Sequence, residues 1–206
     1  AYVRKNNVLT KEMPDWKESL ISDRPELVES VYMEVARVEL SNSSTGAASI
    51  FALFIDQNAS PNDAALALGL LREFPSTEPS NLRKLILCVF SCSQYHEDLL
   101  VLSHEVLERR SKVTKERRWV WMAVSFLLGF ECFNSTKMRY LQRNEDAIWE
   151  LKNLYENVSG LDAFSGTNLL SSRQLDCLIG LFSRRYKNVD FPSGGWRGAK
   201  NTGDGA

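Results

Sequence analysis

A chain of 206 residues with 44% hydrophobic and 25% charged side chains has the composition of a folded globular protein and is long enough to bury a sizeable core. Its 25 Lys and Arg stand against 26 Asp and Glu, a formal charge of -1, which excludes a global field that would draw in nucleic acid or an anionic membrane. Cys88, Cys92, Cys132 and Cys177 lie in apolar, helical-looking surroundings with no secretory signal ahead of them, so they read as reduced thiols of a cytoplasmic protein.

In chain order, residues 1–22 read as an entry segment with a short helix over Pro14–Ile21. A helical-repeat domain is expected over 23–187. It opens on SDRPELVESVYMEVARVEL, where Asp23 and Glu26 fit a capping box, Pro25 suits the first turn, and Leu27, Val28, Val31, Tyr32, Val35 and Val38 recur at helical spacing as the expected inner stripe. SNSSTG ends that helix, and Ala47–Ile55 suggests another. Ser60 and Pro61 start NDAALALGLLREF, which stops at Pro75. Then come NLRKLILCVFSCS, with Leu82, Leu85, Ile86, Val89 and Phe90 as its buried side, and HEDLLVLSHEVLERRSK, with Leu99, Leu100, Leu102, Val106 and Leu107.

The segment Thr114–Phe130 is the centre of the pattern. From Trp119 to Phe130 the only polar side chain is Ser125, and a helix apolar all round must be buried on most sides. It is shorter than the ~20 apolar residues a bilayer requires, so other helices are expected to enclose it, with the Thr114 hydroxyl as its N-cap. Ser135 begins a segment with Met138, Tyr140 and Leu141, and Asn144 suits the cap of EDAIWELKNLYE, whose core side is expected to be Ile148, Trp149, Leu151, Leu154 and Tyr155. After the loop VSGLDAFSGTN, a final helix from Ser171 to about Tyr186 aligns Leu175, Leu178, Ile179 and Phe182. Residues 188–206 form a Gly-rich tail expected to be flexible. The chain's start at Ala1 and its end in that tail suggest a piece of something longer.

No stretch combines period-two alternation, β-branched residues and hairpin turns. The fold class expected is therefore all-α, with stacked antiparallel helix pairs recurring at roughly 35 to 45 residues as a degenerate HEAT-like α-solenoid. A single irregular helical bundle is the alternative.

Sites of chemistry are sparse. Cys88, Cys92 and His96 fall at i, i+4 and i+8, and on one unbroken helix they would offer zinc two thiolates and an imidazole, with His104 as a fourth ligand. QYHED is expected to break that helix, and both cysteines sit beside an apolar stripe as small hydrophobes, so no metal site is assigned. HEVLE at His104–Glu108 lacks the second histidine of a zinc hydrolase, and neither a Gly-x-Ser-x-Gly elbow nor a phosphate loop occurs, so no catalytic or cofactor-binding residue is assigned. The expectation is a protein without enzymatic activity of its own. An unrecognised centre would show itself as a pocket lined by His104 and acidic groups. The candidate binding surface is the basic cluster Arg109, Arg110, Lys112, Lys115, Arg117 and Arg118, with Lys137, Arg139 and Arg143 near it if the helices stack, although Glu108 and Glu116 interrupt it. Trp119, Trp121 and Trp149 lie at stripe positions and read as core rather than as a base-stacking platform.

LLREFP at Leu70–Pro75, NLRKLILCVF, ERRWVWMAVSFLLG, SSRQLDCLIGLFSRRY and GGWRGAKNTGDGA resemble, in that order, segments of the helical C-terminal regions of bacterial NACHT-type ATPases of the STAND class. In that family a Trp-containing helix follows an Arg pair, and a Gly-, Asn- and Asp-rich tail closes the chain. The resemblance spans roughly Arg24 to Ala206 and includes no catalytic motif. It implies a non-catalytic interaction or sensor module of a larger signalling or antiphage-defence ATPase, whose partner is another protein or an upstream ATPase domain of the same polypeptide. A nucleic-acid-binding helical domain using residues 109–118 is the alternative function. No membrane partner is implied.

Overall fold

A computed structural model describes residues 23–41, 60–108, 113–159, 161 and 170–185. The expected helices at Pro14–Ile21 and Ala47–Ile55, the Gly-rich tail, and Arg109, Arg110 and Lys112 lie outside the described residues. Within them the chain is all-α and contains no strand. Eight helices are described: α1 Pro25–Ser41, α2 Pro61–Glu73, α3 Pro79–Phe90, α4 His96–Glu108, α5 Lys115–Leu128, α6 Ser135–Arg143, α7 Glu145–Ser159 and α8 Ser172–Arg185. Single 3-10 turns at Ser93–Tyr95 and Phe130–Cys132 precede α4 and α6. The pairs α2/α3, α4/α5 and α6/α7 begin at Pro61, His96 and Ser135, 35 and 39 residues apart.

Local chemistry sets most of the boundaries. At α2 the Ser60 hydroxyl accepts from the Asp63 amide at 3.2 Å while the Ser60 amide donates to the Asp63 carboxylate at 2.8 Å, a complete capping box ahead of Pro61. Asn134 caps α6 through one side-chain oxygen that accepts from the amides of Thr136 and Lys137. Two expected caps differ. Thr114 is in the extended N-cap conformation, but its hydroxyl accepts from Arg117 Nη1 at 2.9 Å and takes no backbone amide. The Asn144 carbonyl opens α7, whereas its side chain donates back to the Tyr140 carbonyl at 2.7 Å and closes α6.

α5 is the hub. Every residue from Val120 to Leu127 is buried, and the helix packs against α3, α4 and α7. Trp121 is fully enclosed and its indole N–H donates to the Pro75 carbonyl at 2.9 Å, so its polar edge is satisfied where its ring is dry. Burying an indole of about 200 Å² is worth on the order of 5 kcal/mol. Outward from this hub the stacking order runs α1, α2, α3, α5, α7, α8, with α4 against α5 and α6 against α7 and α8. None of the described helices is long and apolar enough to cross a membrane.

The apolar stripe of α1 turns away from the expected direction. On α7 Ile148, Leu151 and Leu154 are buried as expected, and only part of the expected α7 and α8 stripes faces out. On α1, Leu27, Val31, Val35 and Val38 are 43–58% exposed, and the inner positions are Ala36 and Leu40, with Tyr32 and Met33 half-buried. Ala36 has almost no side chain, which lets the α1 backbone come close to its neighbour. The orientation is held by Arg37, which grips Glu73 of α2 through Nε and Nη2, both at 2.8 Å. On α7, Trp149 is 40% exposed, edge-on to Phe182 with the Lys152 ammonium over its ring, while Glu150 takes a buried place beside Leu151. On α8, Leu178 and Leu181 face in, and Leu175 and Ile179 face out. On α1 and α8 two apolar stripes compete, and periodicity alone does not say which one the neighbour covers.

Candidate functional site: a cleft between α4, α5 and α6

The α3–α4 junction bends by 115°, so Cys88, Cys92 and His96 share no helix face. Cys88 is buried, with its thiol pushed up to about 12 chiefly by desolvation, and His96 Nε2 lies 3.0 Å from the Phe90 carbonyl. Among the described residues no group of three or more His, Cys, Asp or Glu side chains is arranged to hold a metal ion.

His104 is placed differently. It faces a cavity of about 710 Å³ whose walls are Leu107 and Glu108 of α4, Arg118 and Met122 of α5, and Thr136, Lys137 and Tyr140 of α6. The 3-10 turn at Phe130–Cys132 and the Asn134 cap swing the first turn of α6 across the mouth of the α4/α5 pair. That turn carries Lys137 to Ser125, the lone polar side chain of the hub. Lys137 Nζ donates to Ser125 Oγ at 3.1 Å, and His104 Nε2 lies 3.2 Å from the same oxygen.

Two nitrogens converge on this one oxygen. Desolvation, then the charge of Lys137, hold the His104 imidazole below its ordinary range, against a smaller opposing effect of Glu108. The Ser125 hydroxyl accepts from the Lys137 ammonium and pairs with His104 Nε2, as donor to the Nδ1–H tautomer of the neutral ring or as acceptor from the Nε2–H tautomer. Lys137 is itself held below the ordinary lysine range by desolvation, partly offset by Cys132 and Glu108. Its ammonium also sits 5.7 Å from the Phe133 ring centroid. Ser125 is fully buried. A reactant in the cleft meets Lys137 and His104 but not the Ser125 hydroxyl, which serves as an internal link and not as a nucleophile.

The basic cluster divides. Lys115 is exposed with its ammonium 5.1 Å from the Trp119 ring centroid. Arg117 is engaged inward, its Nε donating to the Thr77 carbonyl at 2.7 Å and its Nη1 to Thr114, which ties the start of α5 to the α2–α3 connection. Arg118 lines the cleft and shares it with Lys137. Arg139 and Arg143 line a second, adjoining cavity of about 410 Å³, which shares Thr136 and Tyr140 with the first. The pocket that would mark an unrecognised centre is present in part, lined by His104 and one acidic residue, Glu108, whereas the meeting of His104 with Ser125 and Lys137 is not among the sequence expectations. Its one sequence signal is a serine alone in an otherwise apolar run.

No protein-family model, curated protein or solved structure matches the chain.

Proposed function

We propose that this chain is a non-catalytic helical interaction module, a frame that stacks end to end with further protein. The observation that supports this reading is the chemistry of its two outermost helices. In a stacked-helix array each unit buries its faces against neighbours, and a terminal helix is either polar outside or continued by the next unit. α1 packs on α2, and α8 packs on α6 and α7, yet Leu27, Val31, Val35 and Val38 of α1 and Leu175 and Ile179 of α8 face outward. Among the described residues no polar helix covers either face, and both suit a continuing helical array.

The resemblance of the segments around LLREFP, ERRWVWMAVSFLLG and SSRQLDCLIGLFSRRY supports a STAND-type setting, in which the partner is another protein or an upstream ATPase domain of the same polypeptide, within the cytoplasm of a bacterium. A nucleic-acid role is the weaker reading, because Arg117, one of its six cations, is already bound to Thr77 and Thr114. The test is amide exchange on the chain alone and joined to its flanking coding sequence, together with an ATPase assay of the chain alone. Exchange in α1 and α8 should slow in the longer protein, and the chain should turn over no ATP. ATP turnover that co-purifies with the chain, or unchanged exchange in both helices, overturns the proposal.

A further inference from the structure

We propose that the cleft between α4, α5 and α6 is a binding site for a small organic phosphate monoester. The phosphate is held by Lys137 and Arg118 with the hydroxyls of Thr136 and Tyr140, and its apolar group lies against Leu107 and Met122. This site is independent of the end-to-end stacking of the frame, and either can fail without the other.

The central observation is a half-buried cation without a contacting counter-charge. Lys137 Nζ bonds the neutral Ser125 hydroxyl, and among the described residues no carboxylate forms an ion pair with it; Glu108 acts only at longer range. Taking an ammonium partly out of water costs free energy that a paired anion returns. Arg118 of α5 also lines the cleft, and among the described lining residues Glu108 is the one carboxylate beside these two cations. The first turn of α6 brings its positive dipole end to the same place, although Asn134 already occupies the amides of Thr136 and Lys137.

Size and lining point to the rest of the ligand. A cavity of about 710 Å³ is far larger than a bare oxyanion and falls in the range of about 300–1,000 Å³ typical of small-molecule sites. Two cationic residues and two hydroxyl-bearing ones line it from α5 and α6, and the dianion of a phosphate monoester, with three free oxygens, answers two cations better than a singly charged carboxylate does. Leu107 and Met122 leave an apolar wall for the group the phosphate carries.

The experiment is calorimetric titration of the full chain at low salt with phenyl phosphate, inorganic phosphate and benzoate. Phenyl phosphate should bind with a dissociation constant of about 1 mM or tighter, and inorganic phosphate and benzoate about tenfold more weakly. Lys137→Met keeps the stem against Phe133 and removes the charge, and should weaken phenyl phosphate at least about tenfold. Lys152→Met, on α7 beside Trp149 and Glu156, should change nothing. Tyr140→Phe removes one hydroxyl and should weaken binding about threefold, which keeps the test open should Lys137→Met not fold. The proposal is overturned by no heat up to about 10 mM, by equal losses in Lys137→Met and Lys152→Met, by no loss in Tyr140→Phe, or by benzoate binding as tightly as phenyl phosphate.

Discussion

Arg83 of α3 and Glu150 of α7 meet fork to fork, Nε to Oε1 and Nη2 to Oε2, both at 2.7 Å. The carboxylate side is buried at 6% side-chain exposure, while the guanidinium side is open at 43%. The pairing raises the Arg83 guanidinium above its ordinary range, the hydrogen bond to Glu150 being the main cause. The asymmetry decides which partner matters more to the fold. Removing the arginine strands a buried carboxylate between α3 and α7, whereas removing the glutamate leaves an arginine that water can reach. Arg83→Met should therefore cost about 2–3 kcal/mol, reduced from the fully buried case by the exposure of Arg83, and Glu150→Met less. The double variant should recover much of the loss. Urea unfolding of the three proteins gives the coupling energy, and a value below about 0.5 kcal/mol would show that the pair does not tie the two helices.

Gln174 serves two helices at once. Its oxygen accepts from the Ser171 amide at 2.9 Å, while the Gln174 amide donates to the Ser171 hydroxyl, a capping box at the start of α8. Its side-chain nitrogen donates to the carbonyls of Phe126 at 2.9 Å and Leu127 at 3.2 Å, in the last turn of α5. Gln174→Glu keeps the cap but sets a carboxylate against two carbonyl oxygens. It should destabilise by about 2–3 kcal/mol, as much as Gln174→Ala, although glutamate is the better capping residue on an isolated helix. At about 2–4 °C per kcal/mol for a chain of this size, the melting temperature should fall by roughly 4–12 °C. A Gln174→Glu protein as stable as the parent would mean that the bonds to α5 contribute little.

His104 makes stability fall on the acid side of neutrality. Its folded value lies below the ordinary imidazole value of 6.5, so below that pH the unfolded chain takes up a proton that the folded chain resists. The contribution is complete above about pH 6.5 and declines as pH drops toward the folded value. Protonation sets a second cation beside the Lys137 ammonium, both turned toward the Ser125 oxygen. His104→Gln should flatten the stability profile just below about pH 6.5 while leaving it sloped at lower pH, where carboxylates titrate. Chemical denaturation across that range is the measurement, and an unchanged slope in His104→Gln would assign the dependence elsewhere.

These relationships differ in how far the chain's order of residues announces them. The buried hub around Trp121, the capping box at Ser60 and the break before His96 are local patterns, each decided within a few residues. The box at Ser171 and Gln174 has a legible spacing, but its second role depends on where α5 ends, 47 positions earlier. The cleft is less legible still. His104, Ser125 and Lys137 come from three helices and meet only because the Phe130–Cys132 turn aims α6 back over the α4/α5 pair. Trp149 illustrates a different limit. Residue type argues for burial, yet Glu150 takes the inner position because Arg83 waits there to pair with it.

The same limit gives the sharpest test of α1. Two stripes run along this helix, one through Leu27, Val31, Val35 and Val38, the other through Ala36 and Leu40, and only the second faces α2. If the larger residues are the outward ones, Val31→Ser and Val35→Ser should each shift stability within about 0.5 kcal/mol, apart from a small helix-propensity difference. Ala36→Leu, usually a mild change in a helix, should cost about 1–3 kcal/mol by forcing α1 away from α2 and straining the Arg37–Glu73 fork. Thermal unfolding of the three variants decides between the stripes. The order Ala36→Leu mild and Val31→Ser severe would reverse the helix. With the observed orientation, Val31→Glu should leave the fold intact, because the new carboxylate faces outward and not toward α2.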